Sequence, residues 1–178
     1  MIASDIHGSE KYCKMLVNRF KEENADRLLL LGDILYHGPR NDLPECYSPK
    51  GVIGILNEIS DRILCVRGNC DAEVDSMVLN FPLSADYAYV FVDGVSIFAS
   101  HGHIFNEEKL PPLKNGDILL NGHTHVPKCT KHNGYTYMNC GSVSIPKEDS
   151  PHSYMTFQDG VFVWKDLVSG EEYMNAEA

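Results

Sequence analysis

The period of the apolar positions changes repeatedly along the chain. From Ser9 to about Asn24 they recur every three to four residues, through Tyr12, Met15, Leu16 and Phe20, which predicts an amphipathic helix. Leu28 to Leu31, entered from Arg27, is a continuous apolar run, the pattern of a strand buried on both faces. A second helix is predicted from Pro49 to Ser60, with the proline in its first turn, where a missing N–H costs nothing. Ile63 to Val66 is the next buried strand. Beyond that point β-prone segments flank Asp93-Gly94, Asn133-Gly134 and Asp159-Gly160, each a short-range hairpin signal. The paired flanks are Tyr87–Val92 with Val95–Ser100, Lys128–His132 with Tyr135–Asn139, and Tyr154–Gln158 with Val161–Lys165. The chain reads β-α-β-α-β and then a largely antiparallel β half. Sheets and helices must bury their apolar faces on one another. The expected architecture is therefore α+β, a two-sheet β-sandwich flanked by helices in α-β-β-α layers, with residues 1–178 as a single domain. Only Met1 to Ser4 precede Asp5, which is short for a central strand when strands run about five or six residues. That leaves open a start upstream of Met1.

Composition narrows the function more than the fold. Hydrophobic residues make up 43% and charged residues 22%, a globular balance. The formal net charge of −10 argues against a partner such as duplex nucleic acid, where affinity comes largely from Lys and Arg neutralising phosphates. No apolar run approaches the roughly 20 residues that span a bilayer, so no membrane partner is expected. The first residues show no basic segment followed by an apolar one, and the six cysteines have no tight pairing pattern. Reduced thiols and a cytoplasmic location are expected.

The candidate chemistry sits where apolar runs end. Asp5-Ile6-His7 follows the first strand, Gly32-Asp33 the second, and Gly68-Asn69-Cys70-Asp71 the third. His101-Gly102-His103 follows Val95–Ser100, and Gly122-His123-Thr124-His125 follows Ile118–Asn121. Singly, each has an ordinary reading: Gly-Asp and Gly-Asn are turn chemistry, and a His-x-His pair decorates surfaces as readily as it binds metal. Their joint occurrence after five strand-like runs favours one site, since open α/β sheets place ligands at the carboxyl edge of their strands. Asp5, Asp33, Asn69, His7, His101, His123 and His125 form a mixed nitrogen and oxygen set needing no thiolate. Such donors suit Mn²⁺, Fe²⁺ or Zn²⁺ better than Ca²⁺ or a lone Mg²⁺. Seven ligands exceed one tetrahedral ion and suit two ions sharing a carboxylate, the arrangement that clamps both oxygens of an in-line displacement. Two dications with two aspartates leave a charge of +2, which a hydroxide and a phosphodiester anion would match. The site would supply the positive charge that the acidic chain lacks.

These motifs together resemble the calcineurin-like metallophosphoesterases. His37-Gly38-Pro39-Arg40-Asn41, Arg67-Gly68-Asn69-Cys70-Asp71 and the stretch Asn139 to Lys147 are similar to small bacterial phosphodiesterases of that family, and the likeness runs from Ala3 to about Asp166. It implies that Asp5, His7, Asp33 and His125 hold one metal, and that Asp33 bridges to a second completed by Asn69, His101 and His123. It further implies hydrolysis of a small phosphate ester by a metal-bridging hydroxide. The cofactors are two divalent ions, Mn²⁺ first, with Fe²⁺, Zn²⁺ or Ni²⁺ as alternatives. The sequence departs at Cys70, where many members carry a histidine that protonates the leaving group. A thiol is a poor acid for that task, so phosphodiesters with good leaving groups are expected, unless His103 or His37 donates instead. Arg40 is a candidate for gripping a non-bridging phosphate oxygen through its planar fork of donors. His132 and His152 lie outside every motif and read as surface or packing residues. Alternative readings are a phosphomonoesterase and a weakly catalytic interaction scaffold, as in the retromer subunit that resembles this fold. A homo-oligomer is compatible with the sequence.

Overall fold

The computed structural model describes residues 1–178. Its first half runs β1 (Ile2–Ala3), α1 (Glu10–Glu22), β2 (Leu28–Leu30), α2 (Pro49–Asn57) and β3 (Ile63–Cys65). The second half is β4 (Tyr87–Val92), β5 (Val95–Ser100), β6 (Asp117–Asn121), β7 (Lys128–Lys131), β8 (Tyr135–Asn139), β9 (Ser153–Gln158), β10 (Val161–Asp166) and β11 (Glu172–Glu177). All three predicted hairpins form, with Asp93 and Asp159 in the left-handed conformation that these tight turns demand.

Two sheets pack face to face. One has six strands in the order β11-β10-β9-β1-β2-β3, and the other has five in the order β4-β5-β6-β8-β7. The second departs from the expected antiparallel pattern: β5 pairs parallel to β6, and β6 parallel to β8. The hairpins stay antiparallel, but the crossover after β5 and the insertion of β7 before β8 return the chain in the same direction. This brings the carboxyl ends of β5 and β6 to one edge. Strand β11, absent from the sequence reading, adds to β10 as an outer strand. Its residues alternate between exposed and half-buried, so it carries little apolar signal.

The core is layered. Ile2, Leu29, Leu31, Ile97, Leu120, Phe162 and Trp164 belong to the cluster between the sheets. On the outer side of the six-stranded sheet, Leu28, Leu30, Ile63 and Cys65 join the buried faces of both helices. The loop 101–116 takes the outer layer over the five-stranded sheet, where Phe105 and Leu113 pack on Phe98, Leu119 and Tyr137. Leu64 is 42% exposed, because β3 is an edge strand beyond the cover that the facing sheet gives to Leu29. The run predicted as buried on both faces is therefore buried on one.

Helix α1 starts where Ser9 accepts the Tyr12 N–H at 3.4 Å and donates its own hydroxyl to the Glu45 carbonyl at 2.6 Å. It ends at Glu23, one residue before left-handed Asn24. Helix α2 stops three residues early, at Asn57, and Ser60–Arg62 form a separate 3₁₀ turn. Ser9→Ala removes a cap and leaves a carbonyl without its partner, and is expected to cost about 1–2 kcal/mol in urea unfolding. No helix is long and apolar enough to cross a membrane.

Candidate metal centre

The loops leaving β1, β2, β3, β5 and β6 meet at one edge of the sandwich, and they bring all seven candidate ligands together. Parallel pairing causes this convergence. Asp5 N–H donates to Gly32 O at 3.1 Å, His7 N–H to Asp33 O at 2.9 Å, and Gly122 N–H to His101 O at 2.9 Å. Asp5, His7, Asp33, His123 and His125 all have positive φ, between 48° and 66°. Such backbone is costly for side chains other than Gly, Asn and Asp, and it clusters where function fixes a geometry. The aspartates tolerate it; the three histidines are held in it by their surroundings.

Three histidines are oriented by backbone carbonyls. His7 Nδ1 lies 2.8 Å from Tyr36 O, His101 Nδ1 2.8 Å from Leu31 O, and His125 Nδ1 2.7 Å from Ile145 O. A carbonyl only accepts, so each Nδ1 carries a hydrogen and each Nε2 is left facing inward, able to offer a lone pair once it holds no proton, as metal-binding imidazoles do. His123 reverses the arrangement, with Nδ1 3.1 Å from His101 Nε2.

The inward atoms form two groups. In the first, Asp5 Oδ1 stands 3.4 Å from His7 Nε2 and 3.2 Å from His125 Nε2, and the two nitrogens are 3.4 Å apart. Donors around an ion with bonds of about 2.0–2.1 Å sit about 3.4 Å apart in a tetrahedron. Asp5 Oδ2 accepts the His123 N–H at 3.0 Å, whereas buried Asp5 Oδ1 has no hydrogen-bond partner. An orphaned carboxylate oxygen facing two imidazole lone pairs fits a cation. The second group is Asp33, His101 and His123. Asp33 Oδ2 lies 3.3 Å from His101 Nε2 and 3.6 Å from His7 Nε2, so this carboxylate stands between the groups. Asn69 Oδ1, 3.0 Å from His101 Nε2, completes the second.

Charge tunes these residues. Burial disfavours the Asp5 and Asp33 carboxylates, yet the surrounding histidines hold both below the usual carboxylate range. His101, despite its burial, is raised to about 9 by Asp33 and Asp5. His123 is lowered to about 4 by burial and by His101 beside it.

The other candidates divide. Arg40 and Cys70 line a cavity of about 410 Å³ over Asp33, His123 and His125. The Cys70 thiol is pushed up to about 12 by burial and by neighbouring Asp33. His103 sits edge-on to His101 at 5.3 Å and outside the cavity lining, its affinity for a proton lowered by burial. His37 packs between Tyr36 and Tyr47, also outside the lining. His152 stacks on Tyr12 and His132 pairs with Glu107, packing and surface roles respectively.

Several supporting residues went unread in the sequence. Asp71 accepts the N–H groups of Asp33, Ile34 and Gly68 at 2.7–2.8 Å, tying the second strand's loop to the third's. Its signal was the final position of Gly-Asn-x-Asp. Ser142 and Ser144 both donate hydroxyls to the Asp5 carbonyl at 3.1 Å, which accounts for part of the Asn139–Lys147 motif.

A two-sheet sandwich with a carboxylate and imidazole cluster at one strand edge is the arrangement of a metallophosphoesterase, and the family comparison agrees. The model of the calcineurin-like phosphoesterase superfamily domain matches residues 1–159, and the chain belongs to that superfamily. Among particular relatives, phosphodiesterase YfcE of Escherichia coli K12 is 46% identical over 154 residues, covering 86% of this chain and 84% of the relative. The solved structure of E. coli YfcE, a phosphoesterase, superposes with a TM-score of 0.96 at 41% identity, over 99% of this chain and 97% of that one. Vps29 of Entamoeba histolytica complexed with Zn²⁺ shares the fold, with a TM-score of 0.60 at 16% identity over 99% and 97% of the two chains.

Proposed function

We propose that this chain, as one domain, is a phosphodiesterase that uses two divalent ions. Asp5, His7, Asp33 and His125 hold one, and Asp33, Asn69, His101 and His123 the other. The observation that carries this reading is orphaned Asp5 Oδ1 facing two imidazole nitrogens at 3.2 and 3.4 Å, with Asp33 placed between the two groups. Bound divalent ions supply Lewis acidity and lower the pKa of a coordinated water. The chain's own residues supply the rest. Carbonyls of Leu31, Tyr36 and Ile145 fix the ring orientations, and Arg40, in the cavity lining, offers a planar fork to an anionic oxygen of the substrate.

Reconstitution with Mn²⁺ is expected to give about two equivalents per chain by elemental analysis, with hydrolysis of an activated aryl phosphodiester. A stoichiometry that never passes one overturns the binuclear reading; full loading without turnover favours the scaffold alternative. Metal uptake also depends on pH. In the metal-free protein protonated His101 contributes stability that is complete below its unfolded value near 6.5 and is lost as pH rises through about 9. Ligation requires that this proton leave, so Mn²⁺ affinity is expected to rise over the same window, with proton release visible by calorimetry in buffers of different ionisation enthalpy.

Cys70 sets the leaving group. A thiol held near 12 stays protonated at neutral pH yet gives its proton too reluctantly to assist departure. Activated aryl diesters should therefore outpace alkyl diesters and alkyl monoesters. Cys70→His introduces an imidazole acid, and is expected to raise kcat/KM for alkyl leaving groups by about 10²-fold while changing aryl diesters much less. The loop carrying Gly38 leans on the thiol, since a Cβ at Gly38 would lie 2.9 Å from Sγ, and it must yield to the larger ring. Equal wild-type efficiency on alkyl and aryl substrates would place the acid elsewhere, with His103 the next residue to replace.

A further inference from the structure

We infer that the cavity over the metal centre is built for a small phosphodiester whose non-leaving arm carries a second anionic group, held by Lys147 together with Arg40. This rests on the phosphodiesterase reading and names its substrate class. Four observations support it.

The first is the pair of unpartnered cations. The chain's ion pairs engage Lys11, Arg19, Arg67, Lys128 and Lys165, whereas Arg40 and Lys147 enter none. Both line the cavity, from two different loops, in a chain with 25 acidic and 15 basic residues. The adjacent Glu148 and Asp149 lie outside the lining, which leaves Asp33 on the floor as its one carboxylate.

Secondly, the loop bearing Lys147 is fixed to the metal centre. Lys147 N–H donates to His125 O at 3.2 Å, Ile145 O faces His125 Nδ1 at 2.7 Å, and Ser150 donates both N–H and hydroxyl to Lys147 O. The side chain's root is thus placed relative to a candidate ligand. Arg40 is similarly rooted, because Asn41 donates to His37 O at 2.8 Å and closes its loop.

The third observation is what the cavity lacks. At about 410 Å³ it suits a small molecule. No Phe, Tyr, Trp, Leu, Ile, Val or Met lines it, so an acyl chain has no apolar wall there. Asn41, Thr124 and the two cations offer hydrogen bonds instead.

Charge is the fourth. A diester monoanion and a hydroxide already match the loaded floor, and Arg40 with Lys147 add two positive charges beyond that. A carboxylate or phosphate on the substrate's second arm answers them with charge-assisted hydrogen bonds.

The test compares 4-nitrophenyl phenyl phosphate with its 4-carboxyphenyl counterpart, which differ by one carboxylate on the retained arm. In the wild-type Mn²⁺ enzyme the carboxylated diester is expected to have the higher kcat/KM, mostly through KM. Lys147→Ala should lower the ratio of the two efficiencies by about tenfold, and Lys147→Arg should restore most of it. Calorimetric titration with the non-hydrolysable benzyl(methyl)phosphinate and its 4-carboxybenzyl counterpart, which carry P–C bonds in place of both ester bonds, should show the same loss of preference in Kd, independent of turnover. The preference should also shrink as ionic strength rises. An unchanged ratio in Lys147→Ala and Arg40→Ala, for both efficiency and Kd, overturns the second-anion site. Failure of the wild-type enzyme to hydrolyse either diester overturns the phosphodiesterase reading instead.

Discussion

Asp33→Asn is expected to lower phosphodiesterase activity by about 10²- to 10⁴-fold and to reduce bound metal from about two equivalents to about one, with the fold retained. The substitution isolates charge. Asp33 is 2% exposed, and its Oδ1 accepts the Cys70 N–H at 2.8 Å. An amide oxygen can keep that bond, and asparagine tolerates the backbone φ of 56° as well as aspartate does. What disappears is the negative charge on Oδ2, which lies 3.3 Å from His101 Nε2 and 3.6 Å from His7 Nε2. Asp5 Oδ1, by contrast, lies within 4 Å only of the His7 and His125 imidazoles of the first group. Removing one member of a buried charged set costs about 3–5 kcal/mol, which corresponds to the loss of rate given above. The checks are elemental analysis after Mn²⁺ reconstitution and kcat/KM on an activated diester. A variant that keeps both metals and most of its rate refutes the bridging role.

Gly68→Ala should do comparable harm without replacing a candidate ligand. A Cβ at Gly68 would stand 2.1 Å from Asp33 Oδ1 and 2.4 Å from the Asp33 backbone nitrogen. A side-chain oxygen can swing away, but the backbone nitrogen cannot move freely, since it donates to Asp71 Oδ2 at 2.8 Å. Gly32 closes the other side: a Cβ there would lie 2.4 Å from the Gly68 nitrogen. Overpacking of this kind costs about 1–3 kcal/mol, with a fall in Tm of about 2–4 °C per kcal/mol in a chain of this size. Displacing the carboxylate by about 1 Å is expected to lower kcat/KM by about 10²-fold. Gly54→Ala is the matched control. It lies on the exposed face of α2 with nothing within 4 Å of an added Cβ, and should stabilise by about 0.5–1 kcal/mol. If Gly68→Ala loads metal and turns over like the wild type, close packing does not set the position of Asp33.

Local signals made much of this protein legible in advance. The helical period of residues 9–24, the apolar run at Leu28–Leu31 and three Asp-Gly or Asn-Gly turns each depend on neighbours in sequence, and each produced its element. The candidate ligands were legible for a related reason. Polar Asp, Asn and His at the ends of apolar runs have no local structural need to be there, so their repeated placement pointed to a shared task.

Tertiary structure decided the rest. Parallel pairing of β5, β6 and β8 depends on where long connections return, and nothing local encodes that. Leu64 reads like Leu29 in sequence, but its strand falls at an edge, where the facing sheet gives it no cover. Asp71, Ser142 and Ser144 act by accepting or donating hydrogen bonds to backbone up to 139 residues away, a reach no motif reports. The same holds for Lys147, an ordinary surface lysine in sequence until its loop folds onto His125 and turns it toward the cavity. Residue type and spacing announce which chemistry the chain carries; which carboxylate stands between two ligand groups, and which cations overlook them, follows only from long-range packing.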